Sequence, residues 1–168
     1  NGLELLGMAG TAGGAELELI SESVENASAR IRFFRIAYGA AGEQEVGRAE
    51  IVSTLKDYSA GARCEMVWGP LEPVPRRALR LAFLGIQCLE TALPYGGRIE
   101  VRQNAGRWTI TGLADKVNVD DALWSCLTGG SADVSAAQVQ FALLPVLAAE
   151  ETRRAAYTAG ATEVTLHV

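Results

Sequence analysis

Cysteine and histidine are scarce in this chain, long apolar runs are missing, and basic residues are the minority charge. The three cysteines, Cys64, Cys88 and Cys126, are odd in number, far apart and never arranged as CxxC. A disulfide framework or a zinc site needs tighter spacing, so the pattern fits buried thiols of a cytoplasmic protein. One histidine, His167, and no GxSxG motif leave nothing from which to build a serine hydrolase. The longest apolar run, residues 141–149, is interrupted by Pro145 and is far short of the roughly 20 residues that cross a bilayer. Fifteen Lys and Arg against 20 Asp and Glu give a net charge of −5, the wrong sign for a dedicated nucleic-acid binder. What is present, 49% apolar and 21% charged residues over 168 positions, is the composition of a soluble globular protein of one ordinary domain or two small ones.

The clearest pattern is an apolar stripe in steps of three and four: Leu17, Ile20, Val24, Ala27, Ile31, Phe34 and Tyr38, ending at Gly39. This is a heptad-like helical seam followed by a helix-stopping residue. Glu16, Glu18, Glu22 and Glu25 precede Arg30, Arg32 and Arg35 along it, the order that the helix dipole favours. Before the stripe, residues 1–6 read as the end of another amphipathic helix, cut from a longer one. Gly7, Gly10, Gly13 and Gly14 supply breakers for a turn. The expectation is an antiparallel helical hairpin over residues 1–41. Such a hairpin cannot bury its seam alone, so two copies are expected to form a dimeric four-helix bundle. A core helix packed within one subunit is the alternative.

Residues 42–168 change to a mixed α/β pattern. A short helix is expected over 46–58, a strand over 62–68, and a helix from Arg76 to about Leu93 after the loop holding Pro70, Pro73 and Pro75. A β-hairpin follows Gly96 and Gly97, with strands at 98–103 and 107–113 and a turn at Asn104, Ala105 and Gly106. A short helix over 120–127, a longer one over 135–156 bent at Pro145, and a terminal strand over 163–168 complete the reading.

Three stretches carry a resemblance. They are residues 1–6 (NGLELL), residues 32–40 (RFFRIAYGA) and residues 88–97 (CLETALPYGG). In order and spacing they resemble the ChpT-type histidine phosphotransferases of bacterial phosphorelays. The resemblance implies an α+β protein with a dimerisation and phosphotransfer hairpin, followed by a degenerate histidine-kinase ATPase-like α/β sandwich that no longer binds nucleotide. It implies transfer of a phosphoryl group between receiver domains of a hybrid sensor kinase and of response regulators. The phosphoacceptor histidine of the family, in an HD-x-x-x-P stretch, falls upstream of Asn1, so no catalytic residue is expected within these 168 positions. His167 reads as an incidental strand histidine. No cofactor or metal of its own is expected, since the receiver carries the Mg²⁺. The implied receiver-docking residues are Leu5, Glu18, Glu22 and Glu25, beside the turn, and the implied dimer interface is the apolar stripe.

Working kinase domains resemble one another in a helix with two asparagines four residues apart. Gln87 and Thr91 stand at those positions here, and Thr91 is a poor replacement for a Mg²⁺-holding amide. After the hairpin, Asp115 has no glycine pair behind it, and Gly129, Gly130 and Ser131 are better read as a turn than as a phosphate cradle. Asp120 and Asp121 suit a helix N-terminus. Glu150 and Glu151 with Arg153 and Arg154 suit a solvated helical face, Arg76, Arg77 and Arg80 a helix-start surface, and Trp68, Trp108 and Trp124 core anchors. An ATP-dependent kinase fragment and a non-catalytic dimeric adaptor for response regulators remain alternatives.

Overall fold

The computed structural model describes residues 2–40 and 42–168, with side chains from residue 14 onward except at 41. Helix α1 is a single rod, Gly2–Ala37, of 36 residues. The hairpin expected over residues 1–41 is therefore not formed: the helix runs straight through Gly7, Gly10, Gly13 and Gly14. Each glycine costs a helix about 1 kcal/mol relative to alanine, but none removes a backbone hydrogen bond. No proline, which would remove one, occurs before Pro70.

A small ribbon pairs β1 (Glu45–Val46) with β3 (Val74–Pro75), and helix α2 (Arg48–Ala60) and strand β2 (Cys64–Trp68) lie between them in sequence. Helix α3 (Arg76–Ala92) leads to the hairpin of β4 (Gly97–Asn104) and β5 (Arg107–Leu113). Ala105 and Gly106 make its two-residue turn, both with positive φ, as the twist of a tight hairpin requires. Helix α4 (Asp121–Ser125) is capped by the Asp120 carboxylate, which accepts from the Leu123 amide at 3.1 Å. Helix α5 (Gln140–Glu150) and strands β6 (Ala156–Ala159) and β7 (Glu163–His167) close the chain.

The five-stranded sheet has the order β2-β4-β5-β7-β6, parallel between β2 and β4 and antiparallel elsewhere. Side chains alternate across it. Ile99, Val101, Trp108, Ile110, Val164 and Leu166 are buried beneath α3, whereas Arg98, Glu100, Arg102, Thr109 and Thr111 form the open face. Helix and sheet approach closely at Gly85, where a Cβ would collide with the Ile110 side chain.

The longer helix expected over 135–156 is shorter. A 3₁₀ turn at Ala136–Gln138 precedes α5, which stops at Glu150. The amides of Glu151, Thr152 and Arg153 fold back onto the Ala148 and Ala149 carbonyls, and Thr152 adopts φ 59°. The freed segment becomes β6, an edge strand the sequence reading did not contain.

Candidate functional site

Among the described residues, helix α1 buries its C-terminal part against the sandwich. Ala29, Phe33, Ile36 and Ala37 face inward and pack on α2 and α3. Two arginines of α3 secure the end of the helix: Arg76 donates to the Arg35 carbonyl at 3.0 Å and Arg80 to the Ala37 carbonyl at 3.4 Å. Both satisfy carbonyls that a helix terminus leaves open, and both place positive charge at its negative end. Arg76 and Arg80 are thus structural anchors, while Arg77 pairs with Glu43 and Glu151.

The apolar stripe lies on the other side of the helix, and its first five positions are bare. Leu17 (68% exposed), Ile20 (59%), Val24 (59%) and Ile31 (66%) face solvent, as does Ala27. Phe34 and Tyr38, the last two stripe positions, are instead half-buried against their own subunit. Glu18, Glu22 and Glu25 are exposed, each one helical turn from the next, on the side of α1 away from the stripe and in line with Ala29 and Ile36 further along the helix. Leu5 lies outside the residues whose side chains are described.

Where the helical stem meets the sandwich, aromatic rings and a polar pair share one junction. Phe33 is fully buried, with Tyr58 stacked at 4.0 Å and Phe83 at 4.6 Å between centroids. The Tyr58 hydroxyl donates to Glu90 Oε2 at 2.9 Å, and the Arg30 guanidinium lies 5.6 Å from the Phe34 ring centre. The Tyr38 hydroxyl donates to Gln87 Oε1 at 2.7 Å. Burial pushes the Glu90 carboxyl above its usual range, opposed by the Tyr58 hydrogen bond and the Arg30 charge. Burial also pushes up the Cys64 and Cys88 thiols, holding both protonated and unreactive. Sequence reasoning missed Phe33, Tyr58 and Glu90. The available signal was a second apolar stripe, Ala29, Phe33, Ile36 and Ala37, on the opposite side of the same helix.

The raised Glu90 value has a defined pH consequence. A carboxyl whose folded value exceeds its unfolded one stabilises the fold below the unfolded value and loses that contribution as pH rises through the folded value. Glu90→Gln, which can still accept from Tyr58, is expected to raise Tm at neutral pH and to flatten its decline with rising pH. Melting curves of parent and variant from about pH 4 to pH 8 check this; parallel profiles would contradict it.

The residues weighed against a kinase nucleotide site make local contacts. Gln87 is held by Tyr38, and Thr91 Oγ1 donates to the Cys88 carbonyl at 2.7 Å. Gly129 is a left-handed cap (φ 98°) ending the 3₁₀ turn Cys126–Thr128, and the Gly130 amide donates to the Ser125 carbonyl at 2.9 Å. Asp120 is a helix cap. His167 is half-buried on β7, its Nδ1 3.2 Å from Thr109 Oγ1. Trp68, Trp108 and Trp124 are all core residues. Among the described residues no group of His, Cys, Asp and Glu could hold a metal ion, and no helix is long and apolar enough to cross a membrane.

Comparison with known proteins gives this geometry a context. The family described as histidine phosphotransferase C-terminal domain matches residues 48–163. Protein phosphotransferase ChpT of Brucella abortus (strain 2308) is 38% identical over 110 residues, 61% of this chain. The chain spans about half the length of that curated relative, 50%. A solved structure described as a bacterial phosphotransferase superposes with a TM-score of 0.79 at 28% identity, covering 99% of this chain and 84% of that one. The histidine kinase domain of the Erythrobacter litoralis EL346 blue-light activated kinase shares the fold, with a TM-score of 0.53 at 15% identity, over 91% of this chain and 82% of its own.

Proposed function

Because the chain belongs to the histidine phosphotransferase family, as a ChpT-type member, we propose that it works in a bacterial phosphorelay, moving a phosphoryl group between receiver domains of a hybrid sensor kinase and of response regulators. The observation that carries this reading is the family match over residues 48–163, joined to a stem helix whose stripe is exposed from Leu17 to Ile31. Two copies would cover that stripe by packing their α1 helices together. In this reading the phosphoacceptor histidine would lie ahead of Asn1, and the protein would act in the cytoplasm.

The chemistry asks little of such a protein. An imidazole nitrogen attacks the phosphorus of an aspartyl phosphate. The new N–P bond forms as the P–O bond breaks, and the aspartate leaves as carboxylate with the electron pair. The mixed anhydride is already activated and the receiver carries its own Mg²⁺, so the relay protein supplies position and a docking face. Glu18, Glu22 and Glu25 are proposed for that face; Leu5 would join them only if the helix turned back between it and Glu18, and it does not.

Nucleotide is not part of the cycle in this reading. Support comes from Gln87 and Thr91, which stand where the resemblance expects asparagines and make local hydrogen bonds with Tyr38 and the Cys88 carbonyl. The kinase-like fold favours a second reading, an ATP-dependent kinase fragment. Titration calorimetry separates them. Heat is expected with a receiver domain and none with Mg-ATP, and replacing Glu18, Glu22 and Glu25 together by lysine is expected to weaken receiver binding at least about tenfold. Micromolar binding of Mg-ATP would favour the kinase reading, and unchanged receiver affinity would remove the proposed face.

A further inference from the structure

At the hairpin end of the sheet, Arg107, Arg153 and Arg154 line one open cleft of about 510 Å³. This end lies by the start of α3, where Trp108 Nε1 donates to the Ala78 carbonyl. Gln87 and Thr91 belong to the opposite end of that helix. No carboxylate pairs with any of the three arginines among the described residues, although the chain as a whole is acidic. Arg32, Arg77, Arg98 and Arg102 all have such partners.

The backbone around the cleft is also unusual. The two non-glycine residues with positive φ among those described, Ala105 (φ 47°) and Thr152 (φ 59°), both line it. A β-branched residue rarely adopts this conformation, and such strain concentrates where a site requires it. At Thr152 it ends α5 and turns Arg153 and Arg154 toward the hairpin, where the Arg153 guanidinium donates to the Gly106 carbonyl.

A second groove, of about 280 Å³, shares Arg153 and Arg154 and is lined by Leu127, Pro145, Ala149 and Ala155. Cations therefore rim an apolar floor. No aromatic side chain lines either cleft, so a nucleobase would find no stacking platform. We propose that these joined clefts are a docking site for an acidic segment of a partner protein, whose carboxylates pair with Arg107, Arg153 and Arg154 while an adjacent aliphatic side chain enters the groove beside Pro145 and Ala149. The charges would set orientation and encounter rate, and the apolar contact would add residence time. This site is independent of the phosphotransfer reading and of the α1 stripe.

Fluorescence anisotropy of a short fluorescein-labelled peptide of glutamate and leucine, added to the whole 168-residue chain, tests the proposal. Saturable binding that weakens with salt is expected. Arg107 and Arg154 are exposed and make no side-chain hydrogen bond among the described residues, so R107E/R154E is expected to keep its circular dichroism spectrum and lose at least about tenfold in affinity. Arg154→Gln should give a smaller loss, and a glutamate–serine peptide should bind more weakly than the glutamate–leucine one. Equal binding by R107E/R154E, equal binding of a lysine–leucine peptide, or no saturable binding at low salt would overturn the proposal. Equally tight, arginine-dependent binding of ATP or inorganic phosphate would replace it with a small-anion site.

Discussion

An Ile31→Asp variant is expected to sediment as a monomer at concentrations where the parent chain is a dimer. Ile31 is 66% exposed within one subunit and stands in line with Leu17, Ile20, Val24 and Ala27, which are exposed as well. Among the described residues no other such row occurs on α1, whose buried residues are Ala29, Phe33, Ile36 and Ala37, against α2 and α3. If a second copy covers the row, an aspartate there is taken out of water with no partner. An uncompensated buried charge costs about 3–5 kcal/mol, which raises a dimer dissociation constant by roughly two to three orders of magnitude. Because Ile31 touches little of its own subunit, the monomer should keep its fold and melt cooperatively. Sedimentation velocity on parent and variant reads the result, and a variant that remains as dimeric as its parent would remove the stripe from the interface.

Phe33→Ala is expected to cost about 3–5 kcal/mol, the range for removing a fully buried aromatic side chain. Phe33 has no exposed surface and holds together three elements. Its own helix meets α2 through the Tyr58 ring at 4.0 Å and α3 through the Phe83 ring at 4.6 Å. Phe34 adds an edge contact at 5.9 Å. A loss of this size is a large fraction of the 5–15 kcal/mol that keeps an ordinary domain folded. It should fall on the attachment of the stem to the sandwich. Urea unfolding measures it, with Phe33→Leu as a milder variant that keeps more of the buried volume. A loss below about 1 kcal/mol for Phe33→Ala would mean that the stem contributes little to the folded unit.

The contrast between these neighbours explains what could and could not be read from the chain alone. The β4–β5 hairpin was legible because its alternation and its glycine-containing turn are local features. Helices α2 and α3 were legible to within a few residues for the same reason. The turn near Gly7–Gly14 was misread because glycine weakens a helix without forbidding one. Strand β6 escaped notice because its sequence, Ala156 to Ala159, carries little strand propensity and is defined by pairing with β7. The stem junction was invisible for a related reason. Tyr38 meets Gln87 across 49 positions and Tyr58 meets Glu90 across 32, and no local pattern reports such pairs. The exposed stripe, by contrast, is a property of one helix, and its heptad-like spacing was readable directly, although Phe34 and Tyr38 at its end turn toward their own subunit. The arginine cleft could not be anticipated either, since Arg107 reaches Arg153 and Arg154 only when the hairpin tip meets the end of α5.

The relay reading is tested most directly by following phosphate on a form of the chain extended ahead of Asn1 by the family's HD-x-x-x-P stretch. A phosphorylated receiver domain and Mg-ATP are offered as donors in parallel. The account predicts acid-labile, base-stable phosphate on the protein from the receiver, within the time the receiver loses its own, and none from Mg-ATP. Phosphate acquired from Mg-ATP, or no acquisition from the receiver, would contradict it.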